Sequence, residues 1–354
     1  MSKTAVIFSP RYYEHNTGKD HPESAKRLSA IIDELRTSKF SANRNWQFVR
    51  PGRASLEDVE LVHGMEYIRL VEAVCKSGGG LLDLGDTQVS PESFEVALHA
   101  VGGTLKAVDL VMGGKFRNAF VLARPPGHHA SKYRACGFCL FNNVAIAARY
   151  LLERFGLKRV LILDIDAHHG NGTQEIFYET DKVLFISLHE DPYGFPGTGF
   201  TDEIGEAQGL GYNVNIPLPF GTDDHIYLRA VDEIARPIIL QYNPQFALVS
   251  AGFDGHHSDP VANLSLTYGC YQRIFETIMQ VASEKCSGRV VSVLEGGYCV
   301  SAIGKAAAIA IARMTGALYF VHDMPRIAET RIMKRGEKIL EEVKKAQRAF
   351  WSID

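Results

Sequence analysis

Cysteine is scarce in this chain. Six occur among 354 residues (Cys75, Cys136, Cys139, Cys270, Cys286 and Cys299), mostly within apolar or helical stretches. So few thiols exclude a disulfide framework and fit reduced cysteines. Cys136-Gly-Phe-Cys139 has the spacing of a redox pair or of half a zinc site, but no second pair accompanies it, so packing is the stronger reading. No run approaches the ~20 continuous apolar residues of a membrane span. An excess of one charge is also missing. Lys and Arg number 38 against 41 Asp and Glu, for a net charge of −3, which leaves no global basic field to hold nucleic acid. The opening Met1-Ser-Lys-Thr-Ala-Val-Ile-Phe8 leads straight into a strand-like segment, so the cytoplasm is the expected compartment, with no membrane partner. Repeats, low-complexity tracts and Pro/Ser linkers are absent, and residues 1–354 are expected to form one domain.

What is present is an ordinary globular balance, 46% hydrophobic and 22% charged. Apolar runs recur at residues 5–8, 120–122, 160–163, 183–187, 212–216, 246–250 and 290–294. Helical periodicity lies between them, at 95–111, 143–154, 225–241, 268–284 and 302–314. Continuous Val/Ile/Leu runs separated by helices predict an α/β fold with a buried parallel sheet covered on both faces. Ligands of such sheets sit beyond the carboxyl ends of the strands, where four of these runs end in polar loops: 123–129, 164–171, 251–254 and 295–298. Residues 329–351 read as an amphipathic C-terminal helix with Ile332, Ile339, Leu340, Val343 and Phe350 near one stripe, expected to dock on the domain or to serve a subunit contact in a homo-oligomer.

The segment Val160-Leu-Ile-Leu-Asp164-Ile-Asp166-Ala-His168-His-Gly-Asn171 is the most informative. Strand alternation would project Asp164, Asp166 and His168 from one face, as a metal edge does. Read alone, it fits equally a strand entering a helix through a polar turn, its acids acting as caps. Asp254 follows another apolar run and would supply a third ligand. Two carboxylates and one imidazole balance Zn²⁺ and leave a position for water. His128 and His129 follow the stiff turn Pro125-Pro126-Gly127, which aims the two rings apart for separate proton-transfer roles. Alone, that pair reads better as hydrogen-bonded core or surface histidines. Tyr298, after Gly296-Gly297, can offer a phenol to a developing oxyanion.

Taken together, Arg124-Pro-Pro-Gly-His-His-Ala130, Gly137-Phe-Cys-Leu-Phe-Asn-Asn143, Asp164 to Thr173, Phe195-Pro-Gly-Thr-Gly199, Ser250-Ala-Gly-Phe-Asp254 and Glu295-Gly-Gly-Tyr298 resemble the zinc-dependent histone deacetylase family, which includes the acetylpolyamine amidohydrolases. The motifs keep the family's order and span most of the chain. The resemblance implies the arginase/deacetylase α/β fold, with a central parallel sheet of about eight strands. It implies one Zn²⁺ held by Asp166, His168 and Asp254, with His129 as general base and then acid. His128, paired with Asp164, is its electrostatic partner, and Tyr298 polarises the acetyl carbonyl. Phe138 and Phe195 would wall a narrow tunnel for an acyl-amine stem, with Gly137 and Gly297 also touching substrate. Arg27, after His21-Pro-Glu23, resembles the arginine of the inner pocket where acetate leaves. Two K⁺ sites are implied as well, the first from Asp164, Asp166, His168, Ser187 and Leu188, the second from Phe177, Thr180, Val183 and Tyr212.

The chain resembles the class II-like branch at Asn171, where other members carry a second buried Asp. A neutral amide orients His129 without favouring its protonated form as a carboxylate would. Polyamine-selective relatives place an acid near the tunnel mouth. After Asp259-Pro260 this chain has Val261, leaving Glu14, Asp20 or Asp191 to reach the mouth, or Asp86 to hold a peptide backbone at the rim. Tyr298 matters too, since branch members with His there are poor deacetylases. The expected substrate is an acylated lysine of a protein or peptide; the alternative is an acetylpolyamine or other small N-acetyl amine. A non-catalytic acyl-lysine-binding scaffold is the reading from another class, and the intact Asp166, His168, Asp254, His129 and Tyr298 argue against it. A two-metal, arginase-like site needs a further bridging carboxylate, and the turn reads Asp254-Gly-His256 instead. His256 and His257 are expected on a solvated turn.

Overall fold

A computed structural model describes residues 3–37, 40 and 45–354; residues 1–2, 38–39 and 41–44 of the expected domain lie outside it. Its strands are β1 (Thr4–Ile7), β2 (Trp46–Val49), β3 (Gly80–Leu81), β4 (Gln88–Val89), β5 (Asn118–Val121), β6 (Val160–Asp164), β7 (Val183–Glu190), β8 (Asn213–Leu218), β9 (Phe246–Ala251) and β10 (Val290–Leu294). β3 and β4 form a short antiparallel pair. The other eight make one sheet in the order β2-β1-β5-β10-β9-β6-β7-β8, and every pairing in it is parallel.

All seven apolar runs are strands of this sheet. The eighth, β2, was not expected: its Trp46-Gln-Phe-Val49 is half exposed on this uncovered edge and lacks a continuous apolar run, whereas the other edge strand, β8, is buried. Two strands also outrun their apolar signal. β5 starts at Asn118, whose amide donates to Met314 O at 3.0 Å. β7 continues through His189 and Glu190, which find partners in Gly199 O (2.9 Å) and in the Asn263 N–H (2.6 Å). Buried polar side chains sit in a strand when each has its hydrogen bond.

Helices cover the sheet. Ser93–Met112 packs on Asn143–Arg154, and the latter starts at Asn142, whose side chain accepts the Ala145 N–H at 3.0 Å. Ala25–Thr37 packs on Val300–Thr315, which in turn packs on Tyr268–Lys285. Gly304 permits that first contact: a Cβ there would lie 2.6 Å from Ala30 O. The expected helix 225–241 is helical in three pieces, Asp224–Ala230, a π turn Val231–Ala235, and Arg236–Tyr242. Pro237 has no N–H for the i−4 carbonyl, and the wider turn absorbs the misfit. Helices Ala25–Thr37, Leu56–Glu60 and Met65–Lys76 were not expected, while Asn171–Phe177 is the helix that the polar turn after β6 enters. In the first, buried Arg27 interrupts the apolar stripe. The C-terminal helix is Thr330–Gln347, with Leu340 and Val343 buried and Lys344 Nζ 2.8 Å from Glu233. No helix among the described residues is long and apolar enough to cross a membrane.

Candidate active site

Five neighbouring strands, β5-β10-β9-β6-β7, send the loops at their carboxyl ends to one place. β6 stops at Asp164, so Asp166 and His168 lie on a turn beyond the strand, and its alternation does not carry all three onto one face. Asp164 turns instead to His128, with Oδ2 2.9 Å from Nδ1. The turn is tied down by backbone donors. Asp166 accepts the N–H groups of His168 (2.9 Å) and Gly296 (2.7 Å), and Asp254 Oδ1 accepts that of Ala167 (2.9 Å). His168 Nδ1 then lies 3.0 Å from Asp254 Oδ2 and 3.3 Å from Asp166 Oδ1.

These donors fit a divalent cation. Around a tetrahedral ion with bonds of ~2.0–2.1 Å, neighbouring ligand atoms sit about 3.3 Å apart. All three side chains are buried. Burial, and then the Asp166 charge, push the Asp254 carboxyl up to about 7 against the opposing pull of the His168 ring, the expected response of two acids gathered in a buried site.

Glu295 pins the histidine turn, its Oε2 accepting the N–H groups of Gly127 (2.7 Å) and His128 (3.2 Å). The two rings lie 3.9 Å apart between centroids but in opposite electrostatic settings. Burial disfavours a charge on His128, yet Asp164 and Asp166 outweigh it and raise His128 to about 10. Burial and the neighbouring His128 hold His129 well below the usual imidazole range. His129 Nδ1 is 2.7 Å from Asn171 Oδ1, so Nδ1 carries the proton and Nε2 keeps a lone pair.

A pocket of about 240 Å³ opens over this floor, lined by His129, His168, Gly137, Phe138, Phe195, Tyr298, Val261 and Asp86. Phe195 stands edge-on to His129 at 5.0 Å, and Phe138 edge-on to Tyr298 at 5.7 Å. Gly137 has φ +53°, and a Cβ there would strike the His129 ring. Phe138 also adopts a left-handed φ of 69°, a conformation costing of order 1–3 kcal/mol, while its N–H is held by Thr87 Oγ1 at 3.1 Å.

Arg27 is wholly buried beneath the Tyr298 loop. It donates to Gly297 O (2.6 Å) and to Glu295 O, pairs with Glu23 (2.9 Å), and lies 4.9 Å from the Tyr298 ring centre. Glu23 also binds Arg124 (2.6 Å). Asp259 Oδ2 accepts the N–H groups of Tyr298 (2.6 Å) and Cys299 (2.9 Å). Burial raises the Tyr298 phenol well above its ordinary value, so it stays a proton donor.

Of the residues expected around K⁺, Asp164 and Ser187 face each other across β6 and β7, and Ser187 Oγ is 2.8 Å from His189 Nδ1. Leu188 pairs with Ile216 on β8. In the second group, Phe177 O accepts the Thr180 N–H (3.2 Å), Val183 opens β7, and Tyr212 O accepts the Phe185 N–H (3.0 Å). Glu23, Asp259 and Glu295 were given no role in advance. Glu295 had a signal, its place just past a strand's carboxyl end; Asp259 had none, being 39 residues from Tyr298. The solvated turn expected for His256 and His257 is corrected: His256 is 3% exposed, its ring centre 4.4 Å from that of Tyr268.

The histone deacetylase domain model matches residues 21–314. The chain is 45% identical over 297 residues to a probable deacetylase of Archaeoglobus fulgidus, covering 84% of this chain and 82% of the relative. It is 36% identical over 304 residues to a histone deacetylase-like amidohydrolase of Pseudomonas aeruginosa, covering 86% and 78%. A crystal structure of the HDA15 HD domain matches with a TM-score of 0.89 at 33% identity, over 99% of this chain and 95% of that one. With that sheet and these motifs in the same order, the chain belongs to the histone deacetylase family and is a hydrolase of the deacetylase type.

Proposed function

We propose that this protein is a zinc-dependent amidohydrolase that removes acetyl or short acyl groups from lysine side chains of proteins or peptides, acting as one catalytic domain in the cytoplasm. The observation that carries the reading is the meeting of Asp166, His168 and Asp254 at the floor of a pocket that also presents an uncharged His129 and a protonated Tyr298. A zinc ion held by Asp166, His168 and Asp254 would acidify a water and polarise the acyl carbonyl. His129 Nε2 takes the proton of the attacking water, and the same ring returns a proton to the leaving amine. His128, charged against Asp164, makes a second positive ring beside it unfavourable, so the proton on His129 is readily given up. Tyr298 Oη donates to the carbonyl oxygen as it gains charge. Phe138 and Phe195 enclose the methylene stem, and Arg27 holds the Gly297 carbonyl beneath Tyr298. In this reading the two residue groups named above bind K⁺ and stiffen the turn carrying Asp166 and His168.

The rim favours a lysine peptide over an acetylpolyamine. Val261 lines the mouth with Asp86, the acid read as holding a peptide backbone. Of the other acids named for the mouth, Glu14 pairs with Arg11 (3.5 Å) and Asp191 with Arg335, and Asp20 is exposed outside the pocket lining. Turnover of an acetyl-lysine peptide is expected to exceed that of N-acetylputrescine by tenfold or more in kcat/KM, and the reverse order would transfer the assignment to small amines. Tyr298→Phe is expected to lower kcat by about 10²–10³ with bound zinc unchanged. Full activity in that variant would remove the phenol from the chemistry.

Asn171→Asp tests how His129 is tuned. A carboxylate at 171 stabilises the imidazolium, so the pKa of His129 rises, and the base form is lost at higher pH than in the parent. The acidic limb of the kcat/KM profile should move up in pH; an unmoved limb would show that Asn171 does not set the proton affinity of His129.

A further inference from the structure

A second group of donor atoms lies outside the active site, and we propose that His256, His257 and Asp323 bind a divalent transition-metal ion of the Zn²⁺ type. The two histidines occupy the turn after Asp254-Gly255, held to Leu266 by the His257 N–H at 2.9 Å. Asp323 comes from the irregular stretch 317–329, between helices Val300–Thr315 and Thr330–Gln347. His256 Nε2 is 2.9 Å and His257 Nε2 3.4 Å from the same oxygen, Asp323 Oδ2, and the three donor atoms all lie within 4.8 Å of one another.

Hydrogen bonding alone accounts poorly for this convergence. Asp323 Oδ2 already faces His256 Nε2 and the Tyr268 N–H (3.2 Å). His257 Nε2, shut off from solvent and aimed at the same atom, makes no hydrogen bond. A cation resolves the crowding by taking a lone pair from each imidazole and one from the carboxylate. The separations of 2.9 and 3.4 Å bracket the ~3.3 Å between ligands of a tetrahedral ion, and two histidines with one carboxylate form a known open zinc set. His256 Nδ1 is 2.8 Å from Ser258 Oγ, the outer hydrogen bond that orients a ligating imidazole. This group shares no residue with Asp166, His168 and Asp254.

The next residues give the ion a consequence. Ser258 Oγ donates to Cys299 Sγ at 3.4 Å, and Asp259 holds the Tyr298 N–H. A metal here staples the 317–329 stretch to the turn that positions Tyr298. That stretch packs Ala317 and Tyr319 into the core at its start but exposes Leu318, Met324 and Ile327 almost fully, so the metal would hold its exposed middle.

The test counts zinc in the full chain, stripped with chelator, reloaded with Zn²⁺ and desalted. Wild type should retain two zinc ions, His257→Gln one, Asp254→Asn one, and the double variant none. Added Zn²⁺ should slow proteolysis within 317–329 by tenfold or more in Asp254→Asn and leave the double variant unchanged. A zinc count that His257→Gln leaves unchanged from wild type, whatever the wild-type total, would overturn the proposal. If Asp254→Asn loses no zinc while His257→Gln does, the catalytic-zinc reading fails and this site stands.

Discussion

Asp254→Asn is expected to reduce deacetylation by on the order of 10³ or more, since several kcal/mol of charge stabilisation disappear with the ligand and each ~1.4 kcal/mol is tenfold. The substitution is nearly isosteric, and the amide oxygen can still accept the Ala167 N–H that Asp254 Oδ1 holds at 2.9 Å. What it removes is the charge. In the metal-free protein, burial and Asp166 raise this carboxyl to about 7, above its unfolded value. A raised carboxyl makes the fold lose stability as pH climbs from the unfolded value through about 7, because the native state then holds a proton that the unfolded chain has released. Metal-free Asp254→Asn should therefore melt no lower than metal-free wild type at pH 7 to 8. Low activity with an undiminished melting temperature separates loss of chemistry from loss of fold, and a variant that keeps wild-type turnover would take Asp254 out of the reaction.

His129→Ala is expected to lower kcat by about 10²–10⁴, the usual contribution of a positioned acid-base group, while zinc content stays the same. His128 cannot take over. Asp164 and Asp166 keep it protonated at neutral pH, and its Nδ1 is engaged with Asp164, so it has no lone pair for the water's proton. The variant should also lose the acidic limb of its pH profile. If that limb survives in His129→Ala, the titrating base is another residue and the division of roles between the two rings is wrong.

Much of this architecture was legible as pattern. Seven of the eight sheet strands carried an apolar signal, most of them as continuous runs, because a parallel strand covered on both faces has little polar side to show. β8 alternates Asn213 and Asn215 with its apolar residues, the asparagines bonded to Gln174. The missed one, β2, is an edge strand with its side chains half exposed. The reach of β7 through His189 and Glu190 was hidden for another reason: their partners, Gly199 and Asn263, are supplied by loops. Local spacing misled at Asp164 to His168, where the strand ends at Asp164, two residues before Asp166, so its alternation does not reach the metal ligands.

Arg27 and His256 show the limit most clearly. Each is a polar residue with a weak local signal, and each is buried. Arg27 is neutralised by Glu23 four residues before it, while His256 meets Asp323, 67 residues away.

The sequence by itself determined the α/β class, the family and the identity of the chemical groups, since apolar periodicity and ordered motifs are properties of the linear chain. Tertiary structure alone decided which groups meet. Asp166 and Asp254 stand 88 positions apart in the chain, yet both lie against His168 Nδ1 because β6 and β9 are neighbours in the sheet. Asp259 reaches Tyr298 and Glu295 reaches the His128 turn in the same way. Strand order and loop packing set these distances, and charge, proton position and metal affinity depend on distances that no local spacing encodes.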